Sequence, residues 1–401
     1  MRDADAVLTY GELFDFVKNA HEYFPVLQAK SLFDFILNFV CALAHGKDLT
    51  LLDSDLSADE ISSMGVANPA QSIVLNGGGF SDIGELLQTV KNSRSRITVF
   101  TSGTTGLPKK VVHSVSSLAA NARISADYAG HVWGYCYNPT HMAGLQVFFQ
   151  ILLNANAAVN LFEKPKTFAF ECIDKCGVSH ISATPTFYRL LLPESVAHDS
   201  VRRLTLGGEK SDKLLHGALK KVFPNAKINN IYASTEGGTL LASSGEFFKI
   251  PDGLKEKILI NDNELFVHKS LLGESESFVL DGDFYRTGDI IEWIGEAGGE
   301  FKFLSRKSSL VNVGGYKVNL EEVEDVLRTM PQMSDAIVYG QKNSVLGNVL
   351  CADIKIGEGQ TLEVSQVRSF LADKLQQFKI PRKIRFVDHI ESGASGKIKR
   401  I

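Results

Sequence analysis

Val99-Phe100-Thr101-Ser102-Gly103-Thr104-Thr105-Gly106-Leu107-Pro108-Lys109-Lys110 is the stretch on which the reading of this 401-residue chain turns. The apolar run from Ile97 to Phe100 predicts a buried strand. Hydroxyls and glycines follow it, then Pro108 and two lysines. A helical pattern capped by Ser114 is expected to run on to about Tyr128. Glycines allow backbone N–H groups to approach an anion closely, hydroxyls donate further hydrogen bonds, and Lys109 adds positive charge. The order strand, Gly/Ser/Thr loop, lysine therefore suits phosphate, although a flexible surface turn would have a similar composition. The loop is not a Walker A motif, because no glycine precedes a Gly-Lys-Ser/Thr triplet at the required spacing.

Around this loop the chain reads as α/β. Leu8 to Leu13 opens a helix, with Thr9 as cap and Glu12 three residues on, a capping box. Residues 31–45 carry Leu32, Phe35, Ile36, Phe39 and Val40 at helical spacing. Short apolar strands are expected at Leu49 to Leu52 and Gln71 to Leu75, then at Ala157 to Phe162 and Val178 to Thr184. Helices alternate with them, which predicts a largely parallel sheet. Asn138 to Gly144 leads into an apolar helix from Leu145 to about Asn154. Within it His141 is either a capping or core histidine or a pocket residue. The strand through Leu206 enters Gly207-Gly208-Glu209. A helix capped by Ser211 follows, and the strand Ile228 to Ala233 ends on Tyr232-Ala233-Ser234-Thr235-Glu236. Ligands of open parallel sheets bind beyond the carboxyl ends of strands, so these two segments and the loop predict one shared site.

The formal net charge of −4 gives no electrostatic case for nucleic acid or an anionic membrane. Cys41, Cys136, Cys172, Cys176 and Cys351 are odd in number and scattered. That pattern fits a reducing cytoplasm better than a disulfide framework. Cys172 and Cys176 read as core-facing thiols rather than a metal pair, with no matching His or Cys cluster near them. No signal-peptide layout and no bilayer-spanning apolar run is expected.

The loop is similar, nearly letter for letter, to the Thr-Ser-Gly-Thr-Thr-Gly-x-Pro-Lys signature of the acyl-adenylate-forming (AMP-binding) enzymes. These comprise the acyl- and aryl-CoA ligases, the adenylation domains of peptide synthetases, and luciferase. The resemblance runs from about Leu8 to Arg400, with at least five motifs in the family's order. It implies that Thr101, Ser102, Gly103, Thr104, Thr105, Gly106 and Lys109 bind phosphate, and that Gly207, Gly208 and Glu209 pack by adenine and the acid. Tyr232 to Glu236 resembles Tyr-Gly-x-Thr-Glu, where Tyr232 flanks adenine, Thr235 binds phosphate and Glu236 holds magnesium. Ala233 stands where the family usually has Gly. His141 and Gly144 match the His-x-x-Gly of the carboxylate-substrate pocket. Asp289, in Thr287-Gly288-Asp289, and Arg306 match the ribose contacts. Gly315 matches the glycine along the pantetheine path, and Lys397 matches the catalytic lysine of the closing Gly-Lys motif. Glu391 replaces that motif's proline, and Ser308 stands where many relatives have Asp or Lys.

The fold expected from this resemblance is a large multi-subdomain N-terminal domain, residues 1–305, with parallel sheets and a small β-region near residues 245–283. A small mobile α+β lid, residues 306–401, follows a short polar hinge. Only the residues up to Phe100 precede the phosphate loop, so the first subdomain is shorter than is usual. The chemistry implied is a two-step ligation using ATP, Mg2+ and coenzyme A or carrier-protein phosphopantetheine. Thr140 to Leu145 lacks the Asp that pairs an α-amine in amino-acid-activating relatives, which favours an aryl or acyl acid without one. The pocket segments look most like succinylbenzoate- and coumarate-type CoA ligases. A non-catalytic nucleotide-binding relative is the other class, and retention of both Glu236 and Lys397 argues against it.

Overall fold

The computed structural model describes residues 1–4, 6–66, 68–75, 79–101, 109–313, 316–343, 347–375 and 377–390. The chain divides into two compact units. One comprises Met1–Lys257 and Val267–Tyr285, the other Ile258–Phe266 and the chain from Arg286 onward. The boundary expected at residue 305 thus falls inside the second unit.

The first unit contains an eight-stranded sheet. Its strands run in the order Gly238–Ser243, Lys227–Ser234, Arg203–Gly207, His180–Ala183, Val132–Tyr135, Ala157–Asn160, Arg2–Asp3 and Ala6–Val7. All are parallel except the two edges, Gly238–Ser243 and Ala6–Val7. The parallel interior is what the apolar strand and amphipathic helix pattern dictates: each strand is covered on both faces and needs a crossover helix. Helix Lys213–Val222 is one such crossover and turns Leu215, Leu219 and Val222 into the core. Its cap is Asp212, whose side chain accepts from the Leu215 amide, and not the expected Ser211. Ser211 instead hydrogen-bonds His216 at 3.0 Å.

A second, four-stranded sheet orders Val26–Leu27, Leu49–Leu51, Arg96–Thr101 and Lys109–Ser114. The first three strands are parallel and the last is antiparallel. The register pairs Thr101 with Lys109, so the strands on either side of residues 102–108 are antiparallel neighbours. This corrects the expected helix after the loop. Val111 and Val112, β-branched and alternately buried, continue a strand, and Ser114 caps only the single turn Val115–Leu118. Between the sheets lies helix Leu32–Ala44, almost wholly buried. Its Phe35 and Phe39 stack at 5.0 Å and meet Phe148 of helix Met142–Leu152 edge-on at 6.0 and 5.7 Å. The capping box at Thr9 and Glu12 forms as expected.

The second unit holds the antiparallel pairing of Asp289 with Arg306, between strands Phe284–Ile294 and Glu300–Arg306. Beyond it come the hairpin Leu310–Val313 with Tyr316–Asn319 and the helices Leu320–Arg328 and Val364–Ala372. Strands Met333–Asn343, Gly347–Ile356 and Lys383–Phe386 form its three-stranded sheet. Val323, Leu327, Val338, Ile354, Val367 and Leu371 fill the core of this α+β module. Among the described residues no helix is long and apolar enough to cross a membrane.

Candidate active site

At the carboxyl edge of the eight-stranded sheet, neighbouring strands deliver three segments side by side. Ala183 pairs with Leu206, and Gly207 with Ile231, so Thr184-Pro185-Thr186, Gly207-Gly208-Glu209 and Tyr232 to Glu236 leave adjacent strands at one level. Gly207 has no room for a side chain, since a Cβ there would lie 2.6 Å from Ile231 Cγ1. Gly208 adopts φ +86°, a left-handed conformation glycine tolerates. The turn so formed aims Glu209 at the first turn of helix Pro185–Leu191, where its Oε2 accepts from the Thr186 amide (2.9 Å) and hydroxyl (2.7 Å). The register against Gly238–Ser243 slips between Tyr232 and Ala233, a bulge that re-aims the strand end. Ala233 is not left-handed there, so it replaces the family's glycine without strain.

Thr235 and Glu236 are fixed through their backbone. His113 Nε2 donates to the Thr235 carbonyl at 2.8 Å, and the Gly273 amide donates to the Glu236 carbonyl at 2.7 Å. Glu274 exchanges two backbone bonds of 2.8 Å with Val112, and the Ser275 hydroxyl donates to the Lys110 carbonyl at 2.5 Å. The strand leaving the loop is thereby stitched to the turn carrying Glu236. Among the described residues no hydrogen bond or ion pair engages the Glu236 carboxylate, which is half-buried. A hard divalent cation would satisfy such a group, so the residue present fits magnesium. Burial lowers the pKa of His113 below the ordinary imidazole value, outweighing the Thr235 carbonyl and the charge of Glu236.

His141 N-caps helix Met142–Leu152 through its backbone, while its side chain makes no cap bond. The imidazole Nε2 instead meets both oxygens of Asp53 at 2.8 and 2.9 Å. Thr140 Oγ1 (2.5 Å) and Asn138 Nδ2 (3.0 Å) donate to the same carboxylate. Burial alone would raise the Asp53 pKa, but His141, Thr140 and Asn138 together hold it below the usual carboxylate range. Gly144 is obligatory in this turn: a Cβ would lie 2.1 Å from the Asn138 carbonyl oxygen. Asp53 follows the strand Leu49–Leu51, so it arrives from the other sheet.

In the second unit, Asp289 is buried and paired with Arg306, whose Nε lies 2.8 Å from Oδ1. Beside them Glu264, 3% exposed, accepts from Arg286 (2.7 Å), Lys307 (2.6 Å) and the Gly288 amide (3.2 Å). Desolvation would raise the Glu264 pKa, but the two cations hold it low. Asp53, Glu264 and His113 were not singled out by the sequence. The side chain of Thr101, and Ser102, Gly103, Thr104, Thr105, Gly106, Gly315 and Lys397 entirely, lie outside the described residues.

The chain belongs to the AMP-binding enzyme family, which it matches over residues 36–258. Residues 322–397 match the C-terminal domain of AMP-binding enzymes. Among characterised proteins it is 26% identical over 407 residues to bacitracin synthase 1 of Bacillus licheniformis, covering 87% of this chain and 8% of that one. It is 26% identical over 343 residues to 4-coumarate–CoA ligase 2 of Nicotiana tabacum, covering 75% of this chain and 63% of the ligase. The chain thus spans less than two thirds of the length of either relative. The o-succinylbenzoate CoA synthetase of Bacillus subtilis, solved with its acyl-adenylate, superposes with a TM-score of 0.71 at 20% identity, over 99% of this chain and 93% of that one. ATP-bound MatB of Rhodopseudomonas palustris gives 0.73 at 17% identity, over 99% and 93%. At these identities the structural likeness establishes the fold.

Proposed function

We propose that this chain is an AMP-forming ligase that activates a carboxylic acid with ATP and transfers the acyl group to a thiol. The observation that carries the reading is the convergence of Gly207 to Glu209 and Tyr232 to Glu236 on one sheet edge, tied through His113 to the strand leaving the glycine-hydroxyl loop. In the first step a carboxylate oxygen attacks the α-phosphorus of ATP, and the bond to pyrophosphate breaks. In the second a thiol sulfur attacks the acyl carbon, AMP departs with the bonding pair, and the thiol proton is released. Two anions meet in the first step, so positive charge must sit between them. Lys397 is assigned that role. The loop from Thr101 to Lys109 cradles the departing phosphates, with Thr235 beside them. Magnesium, held by Glu236, supplies charge neutralisation at the phosphate oxygens. Tyr232, Gly207, Gly208 and Glu209 form the adenine wall, and Asp289 with Arg306 receives the ribose hydroxyls. His141 and Gly144 line the acid pocket.

Asp53 is a carboxylate at the start of the pocket helix, and three side-chain donors already occupy it. That supports an acid without an α-amine, of aryl or acyl type. Residues 306–401 act in this reading as a lid that withdraws Lys397 and presents Gly315 to the thiol's pantetheine arm. The five free cysteines suit a reducing, cytoplasmic setting. The test is carboxylate-dependent ATP–pyrophosphate exchange across a panel of acids. Thioester formation with CoA and with a phosphopantetheinylated carrier protein is then measured, since relatives of both kinds occur. Binding of Mg·ATP without exchange for any acid would instead make the chain a non-catalytic nucleotide-binding relative.

A further inference from the structure

The strand Lys109–Ser114 leaves the glycine-hydroxyl loop, and its fifth residue, His113, is 1% exposed. A buried imidazole needs a partner for its N–H. Nε2 finds the Thr235 carbonyl at 2.8 Å, and because a carbonyl only accepts, Nε2 carries the proton. Nδ1 faces the Ser117 hydroxyl at 3.5 Å. The imidazole is seated closely. A Cβ on Gly273 would lie 2.5 Å from its Cε1 and 2.8 Å from its Nδ1, so only glycine lets segment 273–275 pass here. That same glycine donates to the Glu236 carbonyl. His113 and Gly273 therefore grip the two consecutive carbonyls of the turn that presents the Thr235 and Glu236 side chains. The fold supplies the other end of the grip from the exit strand of the loop.

We propose that His113 is a positioning residue that locks the Thr235-Glu236 turn to the strand leaving the phosphate loop, so that phosphate donors and magnesium carboxylate share one frame. This rests on the assignment of Mg·ATP to this edge and adds the group that sets its geometry. Removing the donor leaves a buried carbonyl unsatisfied and frees the turn to rotate. The loss then falls on Mg·ATP and spares the acid, whose pocket residue His141 is held by Asp53 and whose Gly144 carbonyl accepts from Tyr135 instead.

The test compares His113→Leu, which removes the N–H, with His113→Gln, whose amide nitrogen reaches the position of Nε2. Gly273→Ala displaces the imidazole without altering it. Mg·ATP affinity is read by titration calorimetry, and KM for ATP and for the acid by pyrophosphate exchange. His113→Leu and Gly273→Ala should each weaken Mg·ATP about tenfold, the scale of an unmade buried hydrogen bond. KM for the acid should stay within about twofold, and His113→Gln should recover most of the ATP loss. Hydrogen exchange at the amides of residues 235–237 should speed up in His113→Leu and return in His113→Gln. Equal losses for ATP and acid, or a glutamine variant no better than leucine, would overturn the proposal. If wild type binds Mg·ATP but exchanges no pyrophosphate, the ligase reading fails while calorimetry still decides the role of His113.

Discussion

Replacing Asp53 with Asn keeps the side-chain shape and removes the charge on which three donors converge. His141 Nε2, Thr140 Oγ1 and Asn138 Nδ2 all point at this carboxylate. All three reach Oδ1, and only His141 Nε2 also reaches Oδ2, at 2.9 Å, so the amide nitrogen that replaces Oδ2 faces the imidazole donor against donor. Hydrogen bonds to charged groups contribute about 1.5–3 kcal/mol each, and an unmatched buried donor costs about 1–3 kcal/mol. The pair is not sealed: the side chains of His141 and Asp53 are 23% and 22% exposed, so water recovers part of the loss. A destabilisation of about 2 kcal/mol follows, read as a shift in the chemical unfolding midpoint. The pH dependence has a definite sign. The folded pKa of Asp53 is depressed, so its contribution is present above the ordinary carboxylate value of about 3.9 and is lost as pH falls through and below it. Wild type and Asp53→Asn should therefore differ at pH 7 and converge below about pH 4. Because the network sits at the start of the pocket helix, KM for the acid should rise while KM for ATP holds. A variant with wild-type unfolding at neutral pH and unchanged acid KM would refute the reasoning.

Lys397→Ala should slow adenylate formation by about a hundredfold or more, the scale of a lost preorganised charge contact, while thioester formation from supplied acyl-adenylate survives. Equal loss in both half-reactions would remove the lysine from its role. Glu236→Gln should raise the magnesium concentration needed for half-maximal exchange, and an unchanged magnesium curve would reduce Glu236 to a solvated turn residue. Gly315→Leu should leave pyrophosphate exchange near wild type while thioester yield collapses and adenylate accumulates; parallel loss of both outputs would make the glycine structural. His113 has a folded pKa below its unfolded value, so its stabilisation is complete above about pH 6.5 and declines as pH falls below that, when the unfolded chain takes up a proton first. Unfolding free energies at pH 7.5 and 5.5 should show a loss in wild type that His113→Gln lacks.

The sequence carried what is local. The Thr9 capping box, the alternation of strands and helices from Ala157 onward, and the placement of Gly207 to Glu209 and Tyr232 to Glu236 at strand ends all depend on neighbours within a few turns. The helix read after Ser114 failed because hydroxyls and small residues at 114–120 suggest a cap and a run. The decisive signal, Val111-Val112 between lysines and a histidine, is short enough to suit either state. Asp212 displaced Ser211 as cap because two adjacent residues of equal capping power differ only in where the backbone turns. Asp53 was not legible at all. Its partner His141 lies 88 positions away, at the N-cap of helix Met142–Leu152, and no spacing rule connects them. His113 and Thr235 are likewise 122 positions apart.

The strand that follows the proposed phosphate loop has an electrostatic consequence. In a strand-to-helix turn, the summed peptide dipoles of the helix place about half a positive charge at the anion. Here the chain returns as a strand, and the following helix begins only at Val115, six residues of extended chain beyond Lys109, on the order of 20 Å away at the strand rise. The helix that follows this strand therefore begins far from Lys109. The cations at the start of the strand are Lys109, half-buried, and Lys110, exposed. Exposed charges are screened beyond about 8 Å at physiological ionic strength. In the proposed ligase, the contribution of these two lysines to nucleotide capture should accordingly be short-range and weakened by added salt.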